Sequence, residues 1–223
     1  DFQNPSGGVW SVGKRRHLVE LARKRGFKII EDSPYRLLRY IGEQLPSFLD
    51  IGPDVTVQLN SFSKIISPGL RAAYLIADAA TVALTAKIAE NTYVTPGNFA
   101  LSVAGEWLHR GYLSEQIACL KELYGPRAQS MVAALEEYLP SHGFQRPEGG
   151  FFVGITLAQP VDASEIRSEA RLAGVDLSDG SGFFETAQPT PFIRLPFCSM
   201  DEDTARRGIR TLATVIERCL AKA

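Results

Sequence analysis

Cysteine is scarce in this chain: Cys119, Cys198 and Cys219 are the only three in 223 residues, and none stands in a Cys-x-x-Cys pair. An odd count without that spacing excludes a disulfide framework and fits a reducing compartment, the cytoplasm. The three histidines, His17, His109 and His142, are isolated and lack the spacing of metal ligands, so no metal site is expected. Charge of one sign is missing too. The 24 basic and 25 acidic residues are intermixed, and the net charge is −1. That leaves no basic stripe for nucleic acid and no acidic tail. No apolar run reaches the roughly 18 residues of a membrane helix, and no signal peptide opens the chain. An initiating methionine is also lacking. The chain enters an Asn4-Pro5 turn almost at once, and the expectation is a fragment that begins inside a domain.

What is present alternates helix with strand. Ser11 is placed to cap a helix running to about Arg25, with Leu18, Leu21 and Ala22 on its apolar face and Gly26 as its stop. A β-rich run from Phe27 to Ile30 leads into Glu31-Asp32 and sets Asp32 at the carboxyl end of a strand. Val55 to Leu59 is a second strand, ending at Ser61, and Ala72 to Ala77 a third. Helices are expected from Ala79 to Asn91, from Phe99 to Arg110 and from Leu113 to Tyr138, the last with a kink or break at Gly125-Pro126. Beyond Pro140, Gly143 and Pro147-Glu148-Gly149-Gly150 the pattern changes. A strand (Phe151 to Leu157), a helix (Ala163 to Ala173), a strand (Phe192 to Phe197) and a closing helix (Asp201 to Leu220) form a smaller α+β unit. The fold class is α/β. Residues 1–125 read as part of a larger domain, with a mostly parallel sheet and flanking helices, and residues 126–223 as a C-terminal α+β domain.

The richest stretch is Ser61-Phe62-Ser63-Lys64, followed by Arg71. It gathers a lysine, two hydroxyls and an arginine at the turn after a strand, and Pro68-Gly69 stops a helix from running through it. Lysine amines serve as nucleophiles toward carbonyls when they are desolvated or set beside another cation. A lone Ser-x-x-Lys is far more often a surface lysine in a polar loop, so the surroundings must carry the reading. Two further polar groups fall where open α/β sheets bind ligands, outside the carboxyl ends of strands: Asp32 and the turn Asn4-Pro5-Ser6-Gly7. Each has a plain alternative, a solvated acidic pair in the first case and an ordinary β-turn in the second. Arg194 lies in the apolar run Phe192-Ile193-Arg194-Leu195-Pro196-Phe197, where an arginine is seldom left without a partner. The aromatic doublets Phe151-Phe152 and Phe183-Phe184, each beside glycines, read as core before pocket.

Taken together and in order, "DFQNPSG", "IIEDSPY", "NSFSKIISPGLR", "RPEGGFF" and Arg194-Leu195 resemble the aspartate aminotransferase superfamily of pyridoxal 5′-phosphate enzymes, class I/II, in its 2-aminoadipate and aromatic aminotransferase-like branch. The resemblance covers the whole chain and the later part of a complete family member. It implies the large domain of that fold followed by its small domain, and a homodimer in the full-length form. It also implies transfer of an amino group between an α-amino acid and a 2-oxo acid; from the charge pattern and the lack of long apolar runs, this portion is expected to contact no nucleic acid and no membrane. By the same resemblance Lys64 bonds the cofactor's aldehyde carbon and later moves the substrate's Cα proton. Asp32 faces the pyridine nitrogen, Tyr35 and Asn4 bond the ring oxygen, and Ser61, Ser63 and Arg71 hold the phosphate. Arg194, with Asn4, takes the substrate α-carboxylate.

Other readings compete. Serine β-lactamases and penicillin-binding proteins also use Ser-x-x-Lys, and Ser178-Asp179-Gly180 imitates their second motif. No Lys-Thr-Gly follows, however, and Pro68 disfavours the helix their motif occupies. MocR-type transcriptional regulators place a domain of the aminotransferase fold behind a winged helix and use the cofactor as a sensor. A β-lyase or a decarboxylating relative would share the same residues.

Overall fold

The computed structural model describes residues 1–186 and 191–222. The chain divides into two compact units: Trp10–Leu120, and a second that gathers Asp1–Val9 with the chain from Lys121 onward.

In the first unit, helix α1 (Val12–Arg25) starts where Ser11 Oγ accepts the Lys14 N–H, and stops where Gly26 takes a left-handed φ of 73°. A side chain at that φ is strained, so glycine ends the helix at least cost. Val19 and Ala22 pack on Ile29, with Leu18, Phe48, Ile51 and Val55 around them. Strand β1 (Ile29–Asp32), the short helix α2 (Phe48–Ile51), strand β2 (Thr56–Ser61) and strand β3 (Ala73–Ile76) follow, then helices α3 (Ala79–Tyr93) and α4 (Asn98–His109). The sheet order is β1-β2-β3. β1 and β2 run parallel with Asp32 opposite Leu59, and β3 turns back antiparallel with Ala73 opposite Ser61.

The alternation of β1 decides the fate of its acidic pair. Ile29 and Glu31 are buried while Ile30 and Asp32 are exposed. Glu31 accepts from Phe48 N (3.2 Å), from Leu49 N (3.3 Å) and from Gln58 Nε2 (2.8 Å), which satisfies the start of α2 and ties it to β2. Ser47 and Asp50 complete that helix start as a capping box. The Ser47 N–H on its carboxylate is the main reason Asp50 titrates below the usual carboxylate range.

Helix α5 (Leu113–Tyr138) passes through Gly125-Pro126 unbroken, with Pro126 inside it. Of the kink or break anticipated there, the break is absent. An interior proline costs about 3 kcal/mol. The buried Ala128, Met131, Val132, Ala134 and Leu135 follow it, and each large apolar side chain among them contributes about 1.5–3 kcal/mol of burial.

The second unit holds a three-stranded antiparallel sheet, β4 (Gly143–Phe144), β5 (Phe152–Thr156) and β6 (Phe192–Pro196), in that order. Along β6, Ile193 and Leu195 are buried while Phe192, Arg194 and Pro196 are half-buried, so one face serves the core and the other carries Arg194. Helices α6 (Ala163–Leu172) and α7 (Glu202–Lys222) complete the unit. The latter buries Ala205, Ile209, Leu212 and Ile216 along one stripe. No described helix is long and apolar enough to cross a membrane.

Truncation of Glu31 tests the first unit. Glu31→Ala leaves the Gln58 amide and two helix-start N–H groups without their acceptor, and should destabilise the protein by about 2–4 kcal/mol in urea denaturation. Glu31→Gln keeps one acceptor oxygen and should lose less.

Candidate active site

Parallel strands about 4.8 Å apart bring their carboxyl ends side by side. Here those ends are Asp32 of β1 and Ser61 of β2. Asp32 points away from the buried Glu31 side, and its carboxylate has no hydrogen-bond or ion-pair partner among the described residues. Beyond it the chain folds over to Tyr35, which is 8% exposed.

Beyond Ser61 the chain enters a single 3-10 turn, Phe62–Lys64, capped by Ser61 Oγ, which accepts the Ser63 N–H at 3.1 Å. Phe62 points inward and packs on Ala72 and Ala104, with Ile66, Leu70 and Leu101 around it. Its flanking residues Ser61, Ser63 and Lys64 stay half-exposed. Lys64 Nζ lies 5.9 Å from the centre of the Tyr35 ring and has no hydrogen-bond or ion-pair partner among the described residues.

A second 3-10 turn, Pro68–Leu70, ends at Arg71, whose φ is 50°. The left-handed region is uncommon for a residue with a Cβ. The adjoining bond from Phe62 N to Ala72 O (3.1 Å) keeps Arg71 beside the Ser61–Lys64 turn. This unit therefore assembles Asp32, Tyr35, Ser61, Ser63, Lys64 and Arg71 at one end of its sheet.

The other unit brings together Asn4 and Arg194, 190 positions apart in the sequence. Arg194 Nη1 donates to Asn4 Oδ1 at 3.0 Å. Two glycines make that approach possible. A Cβ on Gly7, whose φ is 73°, would come within 2.5 Å of Phe152 O. A Cβ on Gly154, which faces Arg194 in the ladder, would overlap the Phe192 ring and crowd Ser6 Cα at 3.1 Å. Without those atoms the Asn4 turn lies directly on β5.

Sequence reasoning missed what surrounds Arg194. Its guanidinium carbon sits 4.7 Å from the Phe152 ring centre and 5.1 Å from that of Phe183, and no carboxylate pairs with it among the described residues. The two aromatic doublets beside glycines were the available signal. Nor was Glu31 separated from Asp32, although strand alternation alone requires that they face opposite ways.

A profile of the family described as "Aminotransferase class I and II" matches residues 2–212. The chain belongs to that family. This aminotransferase-family chain is 33% identical over 99% of its length to aromatic-amino-acid aminotransferase 1 of Thermococcus litoralis, and spans 54% of that protein. The crystal structure of a multiple substrate aminotransferase from Thermococcus profundus matches it with a TM-score of 0.95 and 35% identity, over 100% of this chain and 56% of that one. The α-aminoadipate aminotransferase LysN of Thermus thermophilus, crystallised with N-(5′-phosphopyridoxyl)-L-leucine, matches with a TM-score of 0.91 and 28% identity, over 100% of this chain and 58% of that one. A weaker similarity, 27% over 98% of this chain and 45% of the other, runs to an HTH-type transcriptional regulator of Bacillus subtilis. The chain spans about half the length of the curated relatives it matches.

Gly154→Ala places a methyl group in the Phe192 ring and should cost about 1–3 kcal/mol in thermal or urea denaturation, the range for overpacking a filled site.

Proposed function

We propose that the protein is a transaminase, moving an amino group between an α-amino acid and a 2-oxo acid with pyridoxal 5′-phosphate as cofactor. The observation that carries this reading is the amine of Lys64, without a hydrogen-bond or ion-pair partner among the described residues, which shares the carboxyl end of its sheet with Asp32, two serine hydroxyls and Arg71.

The cofactor asks its host for an amine to meet its aldehyde, an acid to face its ring nitrogen, and donors for its phosphate. Lys64, Asp32 and the group Ser61, Ser63 and Arg71 are of those three kinds, and the donor set fits. When bound, the cofactor supplies an electron-withdrawing ring that stabilises negative charge at the substrate Cα.

The chain's own residues do the rest. Lys64 Nζ would take the proton from the substrate Cα and pass it to the cofactor's former aldehyde carbon, which demands a lysine not tied into an ion pair. Asp32 would face the ring nitrogen, where a carboxylate favours the protonated form. Tyr35 and Asn4 would donate to the ring oxygen, and Arg71 with the serine hydroxyls would hold the phosphate. Arg194 takes the α-carboxylate of the amino or oxo acid through its free donors, with Asn4 Oδ1 fixing Nη1.

The names of the relatives support aromatic or 2-aminoadipate-type donors. A homodimer of the full-length form rests on the family resemblance alone. A cytoplasmic setting rests on the three free cysteines.

In the natural protein, Lys64→Ala should abolish the visible absorbance of the lysine-linked cofactor and reduce turnover by orders of magnitude. An unchanged spectrum would refute the assignment of Lys64. Arg194→Ala should lower kcat/KM for amino and oxo acids by about 2–4 kcal/mol while the cofactor stays bound, since it removes a charged partner of the substrate carboxylate. Cofactor absorbance without transfer to any oxo acid would favour the regulator reading instead, and release of ammonia without an acceptor would favour a lyase.

A further inference from the structure

We propose that Phe152 and Phe183 form an aromatic seat for Arg194, positioning residues that fix its guanidinium without neutralising it. The proposal rests on the reading of Arg194 as the receptor for a substrate carboxylate. Both ring centres lie within the roughly 6 Å over which the negative face of an aromatic ring attracts a guanidinium, at 4.7 Å for Phe152 and 5.1 Å for Phe183. Among the described residues its one hydrogen bond is to a neutral group, Asn4 Oδ1 on Nη1 at 3.0 Å.

The chemistry of that choice is specific. A half-buried arginine is ordinarily held by a carboxylate, as Arg36 is by Asp50 at 3.1 Å. An internal carboxylate would occupy the same fork that an incoming carboxylate needs, and every binding event would have to displace it. Ring faces and an amide oxygen hold the cation in place and leave both its charge and its outer donors for the ligand. Among the described residues Arg194 has no acidic partner, so its charge is held and still available.

Each ring is fixed by its own element. Phe152 stands in β5 two residues before Gly154, which pairs with Arg194, and so falls on the same face of the sheet. Phe183 ends the 3-10 turn Ser181–Phe183. Asp179 organises that turn by accepting from Ser181 N (2.9 Å) and Ser181 Oγ (2.7 Å), and its other oxygen meets Arg167 of α6 at 2.7 Å. Gly180 lets the turn approach β6, because a Cβ there would overlap the Phe192 carbonyl oxygen. Phe183 itself is 38% exposed, so replacing it does not hollow out a core.

The test uses the natural protein with its cofactor, and 4-methylpentanoate as a carboxylate that carries no amino group. Binding is followed by calorimetry for wild type, Phe183→Tyr, Phe183→Leu and Phe183→Ala. Wild type and Phe183→Tyr should bind alike. The leucine and alanine variants should bind about 2- to 5-fold more weakly, the size of an exposed cation–π contact. KM for the amino donor should rise in parallel, with kcat changing less.

Phe183→Leu binding like wild type would show that bulk suffices and overturn the seat alone. Failure of wild type to bind the probe would overturn both the seat and the carboxylate role of Arg194. Weakened binding in Phe183→Leu of a protein that transaminates nothing would support the seat and sink the transaminase reading.

Discussion

Phe62 packs on Ala72 and Ala104, and its backbone N–H reaches Ala72 O at 3.1 Å. The polar end of the first unit depends on that contact. A strand leaving a sheet would ordinarily wander, and its side chains with it. With one apolar ring driven inward, the residues on either side have only the outward directions left. Ser61 then closes the turn on the Ser63 N–H, Lys64 comes out over the Tyr35 ring, and Arg71 is held one residue from the bond that locks the turn. A buried phenylalanine contributes about 1.5–3 kcal/mol, enough to hold a cluster of groups that would gain nothing by assembling on their own.

Several charges in this chain are committed to partners within it. Arg15, only 1% exposed, donates to Trp10 O and Pro46 O, and Arg23 grips Asp54 through two bonds, drawing that carboxyl down to about 2. Those groups are spent on structure. Asp32, Lys64, Arg71 and Arg194 make no ion pair among the described residues. Other charged residues such as Lys14 and Lys87 also lack an ion pair among the described residues; what sets Asp32, Lys64 and Arg71 apart is that they share the carboxyl end of one sheet.

Much of the fold was legible because its signals are local. Ser11 and Gly26 mark the ends of α1 by chemistry that acts within one turn, and the strand ends at Asp32 and Ser61 follow from short apolar runs. The misses are tertiary. Pro126 carries a helix-breaking signal, yet burial on the turns that follow outweighs it. The four residues of α2 have too little sequence for a period to show; a carboxylate from β1 satisfies their first N–H groups. Phe152 and Phe183 read as core because a doublet of aromatics says nothing about which charge will lie against it. The candidate site divides the same way: the residues of the Ser61–Arg71 segment are neighbours in sequence, whereas the Asn4–Arg194 pair became visible only through resemblance.

The 190 positions between Asn4 and Arg194 have a consequence for the order of assembly. The Trp10–Leu120 unit lies wholly within that interval and can complete its own contacts while synthesis continues. At about 5–20 residues per second, the Asn4 turn waits roughly 10–40 s before its partner strand exists. Until β5 and β6 pair, there is no glycine-floored hollow to receive it. The Asn4–Arg194 corner is therefore among the last of the described contacts to form, and a chain stopped short of β6 would carry the Ser61–Lys64 turn without the Asn4–Arg194 bond.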